Sequence, residues 1–250
     1  MQLQSYLNRI GIDKIKSPSL EFLTELQNGH MLSIPFEDLD IPNKRIELDL
    51  NKIYHKIIPT KRGGFCYELN GLFHWLLTLL GFKVDMLSAG VFNSQKKEFS
   101  PEFDHMTLLV HFSKINKNYL TDVGFGDSFR KPIEIPGGEV NDISGHYRIK
   151  DENNSLELQL ENKNNWIPQY SFSLLPRKLA DYKERCDFHQ NSPVSHFRTR
   201  MLCTIATIRG RITLSNDSLT ITEGNSKNKT NFKSREEFNF YLKKYFDIEL

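Results

Sequence analysis

A chain of 250 residues with 38% hydrophobic and 26% charged side chains reads as an ordinary soluble globular protein, long enough for one large domain or two to three small ones. Its 33 basic and 31 acidic side chains leave a net charge of +2, too near balance to nominate nucleic acid or an anionic membrane surface as a partner. The opening MQLQSYLNRIGID lacks the basic-then-apolar pattern of a secretory signal and no run approaches about 18 apolar residues, so a cytoplasmic location is expected.

Short helices are predicted first. Ser17 and Pro18 open a segment whose Leu20, Phe22, Leu23 and Leu26 share one side of a helix, with the serine as cap, the proline in the first turn and an end near Gly29. Ile34 to Leu39 then reads as a loop or short turn, because Pro35 blocks a helix and two apolar residues flank the acidic pair Glu37 and Asp38. Lys52, Lys56, Lys61 and Arg62 read as a solvated face, or as a patch attractive to a phosphorylated ligand. The stretch KRGGFCYELNGLFHWLLTLLG, residues 61–81, organises the rest. Leu69, Leu72, Phe73, Leu76, Leu77 and Leu80 recur at helical spacing and predict a buried helix, with Gly81 as its stop. Gly63 and Gly64 permit a tight turn into it. Cys66 falls on its first turn, where unpaired N–H groups and the helix dipole favour a thiolate; the competing reading is a small buried hydrophobe. Cys66, Cys186 and Cys203 are an odd number without CxxC spacing, which argues against a disulfide framework and against a zinc site.

Beyond Gly81 the period becomes extended. Strands are predicted over 84–92, 106–112 and 119–123, the last two joined by a hairpin connection at Lys114–Asn118. That hairpin returns His105 and Asp122 to the same end, as neighbours whose register stays open. The following Val123-Gly124-Phe125-Gly126-Asp127 sets two glycines about an aromatic ring and is either a ligand-approach loop or a plain turn. A meander over 146–150, 156–160 and 166–174 follows, punctuated by Asp151-Glu152-Asn153-Asn154 and Asn162-Lys163-Asn164-Asn165. A helix is predicted over 178–188 and a boundary at Asn191-Ser192-Pro193. Strands over 202–208, 211–214 and 219–222 come next. A final helix is announced by the capping box of Ser234 and Glu237 and by Phe238, Tyr241, Leu242, Tyr245 and Phe246.

Cysteine at a helix N-terminus, histidine at a hairpin mouth and aspartate on the partner strand are the parts of a Cys-His-Asp triad. Seven other histidines dilute this reading. One of them, His74, lies on the same helix about 12 Å further along its axis, too far to pair with Cys66.

The string Arg62-Gly63-Gly64-Phe65-Cys66-Tyr67-Glu68-Leu69-Asn70 resembles the nucleophile motif of the arylamine N-acetyltransferase family, RGGxCxELN. His105 in His-Met-Thr-Leu-Leu-Val and Asp122 in Asp-Val-Gly-Phe-Gly resemble that family's other two catalytic segments, in the same order. The Ile34-Pro35-Phe36-Glu37 and Ser192-Pro193-Val194-Ser195 stretches also resemble family features. The chain is on the short side for the family, and the shortening is expected in its C-terminal third.

The resemblance implies an α+β fold: an N-terminal helical bundle (1–83), a central β-barrel with a trailing helical segment (84–192) and a C-terminal α/β lid (193–250) around a cysteine-protease-like Cys-His-Asp core. It implies ping-pong transfer of acetyl from acetyl-CoA through acetyl-Cys66 to an arylamine, arylhydrazine or arylhydroxylamine, with His105 managing protons, Asp122 holding His105 and no metal. The Cys66 N–H is the expected oxyanion donor, with a second donor near Phe103 or Asp104. Arg62 is expected to pair with Glu37 and brace the nucleophile loop. Phe36 and Phe125 are expected as apolar walls for the acceptor, core packing being the alternative for each. Gly124 and Gly126 are expected to let main chain approach the pantetheine arm. A monomer or weak homodimer is expected, with small molecules as its partners. The same triad would also serve an amide synthase or a papain- or transglutaminase-like amidohydrolase, and a non-catalytic binding module would need no such set.

Overall fold

In the computed structural model, which describes residues 1–42, 45–152 and 155–250, the first third of the chain forms helices α1 (Leu3–Arg9), α2 (Leu20–Ser33), α3 (Leu50–Ile57) and α4 (Cys66–Leu79). The cap of α2 is Ser19, two residues later than the Ser17 reading, its hydroxyl accepting the Phe22 N–H at 3.2 Å. The helix does not stop at Gly29. It runs to Ser33 and ends where Ile34 turns extended ahead of Pro35. Phe36–Glu37, expected as loop, is a two-residue strand, β1, that pairs Phe36 with Thr204 and Glu37 with Cys203. So short a strand carries no period, and only its distant partner makes it one.

Helix α4 buries Leu69, Leu72, Phe73, Leu76 and Leu77 against α1, α2 and α3, each such side chain contributing about 1.5–3 kcal/mol. It gives way at Leu80, and Gly81 follows with φ +86°. The expected solvated face is half wrong: Lys56 and Arg62 are half-buried in an ion cluster, whereas Lys52 pairs with Glu47 in solvent. Charge spacing alone could not show this, because the opposing carboxylates arrive from two other stretches of the chain, Glu37 with Asp40 and Glu68.

The middle of the chain supplies β2 (Lys83–Asn93), β3 (Glu98–Phe99), β4 (His105–Phe112), β5 (Lys117–Thr121), β6 (Ile133–Ile135), β7 (Glu139–Asp142), β8 (Gly145–Glu152), β9 (Ser155–Asn162) and β10 (Asn165–Arg177). Their order is β6-β5-β4-β2-β10-β9-β8-β7, with β3 on the end of β2, an antiparallel sheet curled into a nearly closed barrel. Gly138 joins its two edges, donating to Glu134 C=O and accepting from Ile149 N–H. Leu87, Leu109, Leu120, Phe129, Tyr147 and Leu158 fill its interior. The predicted turn at 151–154 lies partly outside the described residues, at Asn153 and Asn154. β3, β6 and β7 are too short for a sequence period to reveal.

A single turn of 3₁₀-helix (Leu179–Tyr182) leads into α5 (Lys183–Asn191), then α6 (His196–Thr199). The last segment forms β11 (Leu202–Thr207), β12 (Gly210–Ser215), β13 (Ser218–Glu223), β14 (Ser226–Asn231) and α7 (Arg235–Phe246). Sheet β1-β11-β12-β13-β14 packs one face on α7 through Cys203, Leu214, Leu219, Phe238 and Leu242. β14, SKNKTN, is wholly exposed and was unreadable from its polar composition. Among the described residues, no helix is long and apolar enough to cross a membrane.

Candidate active site

Cys66 is the first residue of α4. The turn that delivers it is clamped to β1: Glu37 N–H donates to Gly64 C=O at 2.9 Å, and a side chain at Gly63 would run into the Pro35 carbonyl and the Glu37 side chain. Glu68, one turn in, accepts the Phe65 N–H at 3.1 Å, the reciprocal half of a capping box. Behind this turn lies the ion cluster. Glu37, fully buried, receives Arg62 Nη2 at 2.8 Å; Asp40 receives Arg62 at 3.0 Å and Lys56 at 3.0 Å; Glu68 receives Lys56 at 3.0 Å. Arg62 and Glu37 are thus brought together. Burial lifts the Glu68 carboxyl above its ordinary range despite Lys56 beside it.

His105 opens β4, and its Nε2 lies 2.7 Å from Asp122 Oδ2. Continuing the register in which Leu108 faces Thr121 sets Asp122 across from Thr107, so His105 and Asp122 meet diagonally across the hairpin. Asp122 is fully buried and accepts three further hydrogen bonds: Asn70 Nδ2 at 2.9 Å, Gly124 N–H at 2.8 Å and the Tyr170 hydroxyl at 2.9 Å. Burial alone would raise its carboxyl; the adjacent His105 and these donors outweigh burial and hold it below the usual carboxylate range.

The helix and the hairpin are tied at one point. Asn70, one turn after Cys66, donates to both Met106 C=O (2.6 Å) and Asp122 and accepts the Val123 N–H at 3.0 Å. Gly124 closes the other side, where a Cβ would stand 2.9 Å from both the Cα and the carbonyl oxygen of Cys66. Burial pushes the Cys66 thiol well up; the main chain of Met106, the residue after His105, opposes this, and the charges of Asp104 and Asp122 add to the rise.

His105 sits between aromatic rings, Phe125 at 5.1 Å and Tyr170 at 5.0 Å between centroids. Phe125 is half-buried, while Phe36 is buried and packs on Gly126. Gly126 C=O accepts from Arg211, which reaches over from β12. Asp104 stands apart from the expected oxyanion role. Its N–H donates to Pro101 C=O at 3.3 Å, and its carboxylate is taken by Arg185 and His189. Asn70 was present in the nucleophile motif and marked by its i+4 spacing from Cys66. Tyr170, Arg185, His189 and Arg211 carried no local signal. Among the described residues, no group of three or more His, Cys, Asp or Glu side chains is placed to hold a metal ion.

The family model described as N-acetyltransferase matches residues 19–250. Arylamine N-acetyltransferase 2 of Rattus norvegicus is 31% identical, the alignment spanning 100% of this chain and 95% of the relative. Among solved structures, the Mycobacterium smegmatis arylamine N-acetyltransferase superposes with a TM-score of 0.93 at 29% identity over 100% of this chain and 93% of its own. An arylamine N-acetyltransferase from Bacillus cereus, whose catalytic triad is Cys-His-Glu, superposes with a TM-score of 0.91 at 25% identity over the whole of both chains.

Proposed function

Because the chain belongs to the arylamine N-acetyltransferase family, we propose that it transfers acetyl from acetyl-CoA to an arylamine, arylhydrazine or arylhydroxylamine through acetyl-Cys66, with Cys66, His105 and Asp122 as its triad. The observation that carries this reading is the Asn70 tie, which brings the start of α4, the start of β4 and the Asp122 loop to one place. Asp122 on Nε2 leaves Nδ1 of His105 to serve Cys66. The Bacillus cereus relative has a Cys-His-Glu triad, and Asp122 is the acid proposed for this chain.

The Cys66 proton passes to His105, whose imidazolium is matched by the Asp122 carboxylate; burial makes this internal ion pair the route to a thiolate. The thiolate attacks the thioester carbonyl, the carbonyl carbon–sulfur bond of the donor breaks, and coenzyme A leaves with the proton from His105. The amine then attacks acetyl-Cys66, His105 takes its proton, and the Cys66 carbon–sulfur bond breaks to restore the thiolate. The Cys66 N–H, at a helix start with no acceptor one turn back, is proposed to receive the oxyanion. Phe125 is the proposed wall for the acceptor ring, with Phe36 behind it. Gly124, seated on Cys66, and Gly126 are proposed to leave the room the pantetheine arm needs.

We further propose the division into a helical bundle (1–83), a barrel (84–192) and an α/β lid (193–250), supported by one apolar cluster inside the barrel and one between the C-terminal sheet and α7, while the cluster of the helices also takes in Met86, Met106, Leu108 and Val110 of the barrel strands and Ala206 of β11. A cytoplasmic monomer or weak homodimer is the working state. Initial-rate kinetics with acetyl-CoA and an arylhydrazine test the reaction. Parallel double-reciprocal lines are expected; intersecting lines, or acetyl release independent of the amine, would contradict it.

A further inference from the structure

Asp104 directly precedes His105 and is held from two sides. Its Oδ1 accepts Arg185 Nε at 2.6 Å and lies 3.1 Å from His189 Nε2. Both partners stand on α5, one turn apart. Arg185 lies over the Phe188 ring at 4.1 Å, and His189, 4% exposed, packs edge-on against Phe197 at 4.9 Å. The main chain is gripped from the opposite side. Phe103 is left-handed, with φ +70°, a costly conformation for a large side chain, and its carbonyl accepts the Tyr67 hydroxyl at 2.6 Å. Tyr67 is the residue after Cys66. Residues 103–105 are therefore gripped between α4 and α5 at the point where His105 is delivered.

The charges around the thiol explain why the grip is ionic. Asp104 and Asp122 both bear negatively on Cys66, while Cys186, raised to about 12 by burial, stays a neutral thiol and Tyr67 and Tyr182 are the titratable rings that feel the Cys66 charge. Asp122 is matched by His105. Asp104 takes no part in proton transfer, so its charge opposes a thiolate unless something cancels it. Arg185 does so, and His189 Nε2 stands 3.1 Å from the same oxygen.

We infer that Arg185 and His189 are positioning residues for acetyl transfer: they hold Asp104 so that His105, the next residue, keeps its place at the start of β4, and Arg185 cancels a negative charge that would oppose the thiolate. The inference rests on Cys66 being the nucleophile. It gives two substitutions in one ion pair opposite signs, which a purely structural pair would not do.

The test is the pH profile of Cys66 alkylation by iodoacetamide, read by peptide mass spectrometry on the full chain between pH 5 and pH 10, with no acyl donor present. Asp104→Asn removes the negative charge and keeps Arg185, so the profile moves to lower pH by about half a unit to one unit. Arg185→Gln leaves Asp104 undermatched and moves it to higher pH by about the same amount. The double variant returns to within about 0.3 unit of wild type. Shifts of the same sign in the two single variants, or no shift in either, would overturn the inference while leaving the acetylation reading intact. A wild-type Cys66 inert below pH 9 would overturn both.

Discussion

Asp122→Asn isolates the charge of the triad without changing its shape. The Asn oxygen can keep the bonds from Asn70 and Gly124, but its NH₂ then faces the groups that Oδ2 accepts from, His105 Nε2 at 2.7 Å and the Tyr170 hydroxyl at 2.9 Å. Donor meets donor at His105, and the imidazolium formed as Cys66 gives up its proton loses its counter-charge. A hydrogen bond to a charged group contributes about 1.5–3 kcal/mol, and losing the counter-charge at full burial adds at least 1 kcal/mol, roughly 3–4 kcal/mol in all. That corresponds to acetylation about 10²–10³-fold slower. Quenched-flow single turnover with acetyl-CoA, read by intact-protein mass, measures that step alone. Acetylation within about threefold of wild type in a folded variant would refute the assigned role of Asp122.

Other consequences are as direct. Tyr170→Phe removes one of the four donors on Asp122 and should slow acetylation by about tenfold in the same assay with little change in fold. Gly124→Ala drives a methyl into Cys66 and Asn70 and should cost about 1–3 kcal/mol, read as a Tm lower by several degrees together with slower acetylation. His30 is wholly buried, its Nδ1 on the Tyr6 hydroxyl at 2.8 Å, and burial pushes its pKa down to about 3. Between about pH 6.5 and pH 3 the unfolded chain binds a proton that the folded chain refuses, so stability falls as pH falls, by up to about 1.4 kcal/mol per unit. Urea midpoints for His30→Gln should show a shallower loss between pH 6.5 and pH 4 than wild type.

What was legible from sequence followed the range of each signal. The helical period of Leu69, Leu72, Phe73, Leu76 and Leu77, the β-branched, aliphatic and aromatic content of the hairpin strands and the Ser234 capping box are local, and all three elements are present in the structure. β1 and β14 are strands only because Cys203, Thr204 and the β13 edge stand beside them. The ion cluster hid in what looked like a solvated basic patch, since Glu37, Asp40 and Glu68 meet Lys56 and Arg62 only after folding. The same limit hid Tyr170, which reaches Asp122 across 48 residues of chain, and it hid the hold of Arg185 and His189 on Asp104. The helix-end argument drew on the start of α4 alone, whereas the burial that raises the Cys66 thiol comes from elements distant in the chain.

Intact-protein mass spectrometry after mixing with acetyl-CoA, with no acceptor present and beside Cys66→Ala, tests the acyl-enzyme most directly. The account predicts one added acetyl group on the wild-type chain, none on the variant, and discharge of that group by aniline. A folded wild-type chain with reactive Cys66 that gains no acetyl group would contradict it.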